Sequence, residues 1–112
     1  MPTEPAATQI VTVFRSRLSG QATEEYERTS EAMEAAAREM PGFVDFKTFG
    51  ARDGERVSLI TFADRTSHDA WRRDERHRRA QQAGRDRFYR SYQIQVCECV
   101  AVRRFDADPT SG

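Results

Sequence analysis

Apolar and polar positions change period along this chain from two to 3.6 and back, and the changes mark out its elements. Residues 9–18 (QIVTVFRSRL) are β-branched and aromatic and predict a first strand. Ser19 and Gly20 turn the chain. Across 21–40 one stripe reads Ala22, Tyr26, Thr29, Met33, Ala36 or Ala37, and Met40, the inner face of a helix. Glu24 and Glu25 suit its positive N-terminal end, and Pro41-Gly42 stops it. Strands are predicted over 43–49 and 56–63, joined at Arg52-Asp53-Gly54, a hairpin signal. Thr66 and Asp69 form a capping-box-like pair opening a short helix that contains His68 and Trp71, with His68 expected near its start and exposed. Asp74 reads as an N-cap at which the helix restarts, running to about residue 88. A long fourth strand is predicted over 91–102. Residues 1–8 and 104–112 are expected to be flexible, flanking one domain over 9–103.

The order β-α-β-β-α-β is a split βαβ pattern. It predicts an α+β, ferredoxin-like fold: one four-stranded antiparallel sheet with its helices on one face. The strands do not alternate cleanly. Ile10, Val11, Val13 and Phe14 put apolar groups on both faces of the first strand, and a sheet apolar on both faces needs a second cover. A second copy is the simplest cover, which predicts a homodimer with sheet packed on sheet. Charge pairs the helices: six Glu and two Arg over 21–40 face eight Arg and three acids over 71–90. Such surface pairs contribute about 0–1 kcal/mol each but disfavour other packings.

Composition narrows the classes. The 112 residues make one domain, and 18 basic against 18 acidic residues argue against a general polyanion binder, so no nucleic-acid role is expected. No apolar run is long enough to span a membrane, and MPTEPAATQ lacks the basic start and apolar segment of a signal peptide, so the expected location is the cytoplasm. Cys97 and Cys99 project from one strand face at a spacing awkward for bridging and read as reduced thiols. Two His and two Cys so placed make no metal site, and there is no glycine-rich nucleotide loop.

The stretch 71–92 is where chemistry gathers. Counted from Asp74, its inward stripe is His77, Ala80, Gln81, Gly84 and Phe88. A core stripe would be Leu, Ile or Val. This one leaves space and offers polar groups to it, which suits the wall of a cleft. Trp71 reads both as a core anchor and as a pocket wall, and His77 as a bonded imidazole or a base. Gln81, Gly84, Phe88 and Tyr92 are candidate ligand contacts. Tyr89 is expected in packing or on a dimer surface, and Arg85 and Arg90 in solvent.

Pro41-Gly42-Phe43, the spacing Trp71…Asp74-Glu75-Arg76-His77, Ala80-Gln81 and Phe88-Tyr89…Tyr92 resemble the antibiotic biosynthesis monooxygenase family over about residues 9–103. The resemblance implies a dimeric α+β barrel with a pocket between sheet and helices in each subunit. Some members oxidise phenolic polyketides to quinones with oxygen and no bound cofactor; others bind and degrade heme. The heme-degrading members use a helix Trp, a His ten residues later and an Asn on the first strand. Trp71 matches the first, position 81 is Gln with His77 one turn earlier, and the chain contains no Asn. The resemblance therefore implies a small monooxygenase acting on a small aromatic or phenolic ligand without metal or flavin. His77 and Trp71 would be the catalytic residues, and Gln81, Gly84, Tyr92 and Phe88 would line the substrate site. The alternatives are a heme-binding protein with His77 as axial ligand and a non-catalytic dimeric binding protein.

Overall fold

The computed structural model describes residues 8–107. Its elements are β1 (Ile10–Leu18), α1 (Thr23–Glu39), β2 (Phe43–Gly50), β3 (Arg56–Phe62), α2 (Arg65–Arg73), α3 (Glu75–Ala83), a π-helical turn (Gly84–Phe88) and β4 (Tyr89–Glu98). All strand pairs are antiparallel, in the order β2-β3-β1-β4, giving the expected α+β, ferredoxin-like arrangement. Residues 1–7 and 108–112, which hold most of the predicted lead-in and part of the predicted tail, lie outside the described residues.

Register fixes which side chains share a face. Ile10, Thr12, Phe14 and Ser16 on β1 pair with Phe62, Ile60, Ser58 and Arg56 on β3, and with Glu98, Val96, Ile94 and Tyr92 on β4. This is the helix side, because Ile60 and Phe62 form the core with Ala36, Ala37 and Trp71. Phe14, Met33, Met40, Phe43 and Phe46 pack around that cluster. Alternation sends Val11, Val13, Val57, Leu59 and Phe49 to the opposite face.

Local chemistry moves several predicted boundaries. α1 begins at Thr23 because Ala22 sits in the left-handed region at φ 51°, outside helical geometry. α2 is capped by Asp64, not by Thr66. Asp64 is extended and its carboxylate accepts from the Ser67 amide at 2.8 Å, so Thr66 and Asp69 both lie inside the helix. Asp74 caps α3 as predicted, accepting from the Arg76 amide at 2.8 Å. β4 covers Tyr89–Glu98 in place of 91–102. It is an edge strand paired only to β1, and regular pairing ends where Glu98 meets Ile10, at the start of β1. Cys97 therefore lies in the strand and Cys99 beyond it. The acidic and basic helices do meet: Arg76 pairs with Glu39 at 3.1 Å, and Arg87 pairs with Glu25.

Candidate active site

A cavity of about 230 Å³ lies between the sheet and the helices. An apolar cavity of about 150 Å³ takes up benzene, so this one has room for a small aromatic system. Its floor is the helix side of β1, β3 and β4, with Thr12, Phe14, Ile60, Ile94 and Val96. Its roof comes from Tyr26 and Met33 of α1, Trp71 of α2, and His77, Ala80 and Gln81 of α3. Among the described residues no Asp or Glu lines it, while Arg56, Arg72, His68 and His77 do.

At one end Trp71 joins core and cavity. It is 5 % exposed, stacks on Phe62 at 6.3 Å between ring centroids, and carries the His77 ring tilted 31° against it at 4.6 Å. The Asp74 restart sets up this pair: it ends α2 one turn after Trp71 and begins α3 with His77 in its first turn. Nδ1 of His77 is buried with no hydrogen-bond partner. Burial pulls the imidazole pKa below its ordinary value, and His68 adds to the lowering. The Arg72 carbonyl and the Asp74 carboxylate oppose it. His77 is therefore held neutral near pH 7, the state in which an imidazole accepts a proton.

At the other end is an aromatic cluster. Phe14 contacts Tyr89 at 5.3 Å and Tyr92 at 5.6 Å, and Tyr26 contacts Phe88 at 5.6 Å and Tyr89 at 6.0 Å. Burial pushes the Tyr89 hydroxyl well above its usual pKa, so it stays protonated and able to donate.

Of the residues singled out by sequence, Trp71, His77, Gln81, Phe88 and Tyr92 come together around this cavity. Gly84 is buried but does not line it. A Cβ on Gly84 would lie 2.5 Å from the Tyr89 ring, so the glycine makes room for a tyrosine that does line it. Tyr89 thus belongs to the cavity wall as well as to packing. His68, expected exposed, is 7 % exposed and lines the cavity, with Nδ1 3.3 Å from the Asp69 carboxylate. Residue 68 falls one helical turn before Trp71, on the same inward face of α2. Arg56 was not singled out. Its signal was present in the alternation Arg56, Ser58, Ile60, Phe62, which puts it on the buried side of β3.

Among the described residues no group of three or more His, Cys, Asp or Glu could hold a metal ion. No helix among them is long and apolar enough to cross a membrane. Heme does not fit the site. The cavity is below the range of about 300–1,000 Å³ for drug-sized ligands, and a porphyrin is larger still.

The sequence pattern of the antibiotic biosynthesis monooxygenases matches residues 9–83. The chain is 28 % identical over 80 residues to YqjZ of Bacillus subtilis (strain 168), covering 71 % of this chain and 70 % of that one. In fold it is similar to SnoaB, a cofactor-independent oxygenase from Streptomyces nogalater (TM-score 0.71, 19 % identity, 88 % of this chain and 97 % of that one). It is also similar to Rv0793 from Mycobacterium tuberculosis (TM-score 0.70, 16 % identity, 88 % and 98 %).

Proposed function

The chain belongs to the antibiotic biosynthesis monooxygenase family, and from that premise we propose that it oxidises a small phenolic aromatic with molecular oxygen, without a bound metal or flavin. The observation that carries this reading is the neutral, half-buried His77 against Trp71 at the wall of a cavity that no carboxylate of the described residues lines. His77 takes the phenol proton, and Trp71 forms the aromatic wall beside the ring. Gln81, Tyr92 and Phe88 contact the ligand, the first two through hydrogen bonds. The phenolate gives one electron to oxygen, forming a phenoxyl radical and superoxide. Their recombination makes a carbon–oxygen bond at a ring carbon. The peroxide takes a proton from the His77 imidazolium. Loss of the ring hydrogen and cleavage of the oxygen–oxygen bond then release water and leave a quinone. Phenol plus oxygen thus yields quinone plus water. A dry cavity supports this sequence by keeping water from the phenolate and the peroxide.

The reading includes a homodimer packed sheet on sheet. Its support is the face opposite the helices, where Val11, Val13, Val57 and Leu59 are only half-buried and Phe49 is 48 % exposed. A monomeric mass at micromolar concentration would remove this part alone.

The test is oxygen uptake with a panel of phenols, comparing the native chain with His77→Ala. Loss of about 100-fold or more in turnover is expected for removal of a general base. Undiminished turnover in the variant removes His77 from the mechanism. Saturable phenol binding with no oxygen uptake by the native chain would instead identify a binding protein.

A further inference from the structure

The cavity carries a cation with no counter-ion. Arg56 opens β3 on the buried side of the sheet and lines the cavity. Its guanidinium sits over the Tyr26 ring at 5.7 Å from the centroid. Among the described residues it forms no ion pair, and its Nε is buried with no hydrogen-bond partner. The neighbouring arginines differ. Arg15 pairs with Glu55 at 2.8 Å and Arg17 with Asp53 at 2.7 Å, both on the other face of the sheet. A partly desolvated cation without a partner is costly to keep, and an arriving anion would relieve that cost. A planar guanidinium fits a carboxylate better than a compact ammonium would.

We propose that Arg56 is an anion-recognition residue, so that the cavity selects an aromatic ligand bearing a carboxylate, held at the tyrosine end while its ring lies toward Trp71. Arg56 and Phe62, on which Trp71 stacks, are six residues apart along β3, about 20 Å of strand. The acid group and the ring position that meets His77 are therefore on opposite sides of the ligand. Arg56 positions the ligand and takes no part in proton transfer. This inference rests on the reading of the cavity as an aromatic site, and a binding measurement separates the two.

The experiment titrates the full chain by calorimetry with a hydroxynaphthoate and with the matching hydroxynaphthamide, which has the same rings and no charge at pH 7. The acid is expected to bind about tenfold or more tightly than the amide, the size of a charge-assisted hydrogen bond. Arg56→Gln should abolish the difference while leaving the amide unchanged, and Arg56→Lys, which keeps the charge without the fork, should restore part of it. Equal affinities in the native chain, or a preference that survives in Arg56→Gln, overturn the subsite while leaving the aromatic cavity standing. Binding of neither ligand overturns both. Should Arg56→Gln fail to fold, Arg56→Lys decides: a diminished preference supports the guanidinium subsite, and an undiminished one overturns it.

Discussion

Two strands present the same kind of side chain to the same side of one sheet and meet different fates. On β3, Ile60 is 8 % exposed and Phe62 is fully covered. On β4, Ile94 is 41 % exposed and Val96 52 %. Both pairs face the helices, so alternation cannot separate them. Helix placement does: Ala36, Ala37 and Trp71 close over β3, and the core cluster they form does not take in Ile94 or Val96. Apolar pattern says which side of a strand looks inward; only packing says whether something is there to meet it. The covered residues are the core, and the floor of the cavity joins the uncovered Ile94 and Val96 to the edge of that core at Ile60.

Truncation should break the comparison most sharply. Phe62→Ala is expected to cost about 3–5 kcal/mol in urea unfolding, the usual penalty for emptying a filled aromatic site. Val96→Ala should stay within about 0.5 kcal/mol, as at exposed positions. Equal costs would mean that β4 is as well covered as β3. A smaller effect separates two glycines. Gly84→Ala should destabilise by about 1–3 kcal/mol, because the added methyl strikes the Tyr89 ring. Gly50→Ala, with open space around it, should be within about 0.5 kcal/mol.

The smallest effect concerns pH. His77 has a folded pKa below its unfolded value. Above about pH 6.5, the ordinary imidazole value, both states are neutral and the residue adds no pH dependence. As pH falls through that value toward the folded one, the unfolded chain binds the proton first and stability drops. His77→Phe should flatten the decline in urea midpoint below the ordinary imidazole value, and an unchanged slope would assign it elsewhere.

Much of the fold was legible because its helices and turns carry local signals even where strand alternation is imperfect. The 3.6-residue stripe of α1, the Asp74 restart and the hairpin before Arg56 each carry their own local signal. The misses share a cause: each depended on a neighbour distant in sequence. β4 ends where β1 stops offering a partner. His68 is buried because α2 packs on β3 with the face that carries both His68 and Trp71. Within the site, the stripe from His77 to Phe88 contributes His77, Ala80, Gln81 and Phe88 to the cavity wall. Gly84 was read as part of that wall, whereas its small size serves Tyr89. Arg56 escaped notice because an arginine at a strand start reads as solvated until the sheet places it beneath Tyr26.

The π-helical turn passes into β4 directly, with Phe88 ending one and Tyr89 beginning the other. A connection with no spare residue has no slack. Ser19, just past the end of β1, donates its amide to the Phe88 carbonyl at 2.8 Å and its hydroxyl to the Arg87 carbonyl at 2.7 Å. The entry into β4 is therefore tied to the end of β1 by two bonds from one residue. Displacing the start of β4 from β1 breaks the bond from the Ser19 amide to Phe88, so the exchange rate of that single amide is a gauge of how far the strand entry has moved.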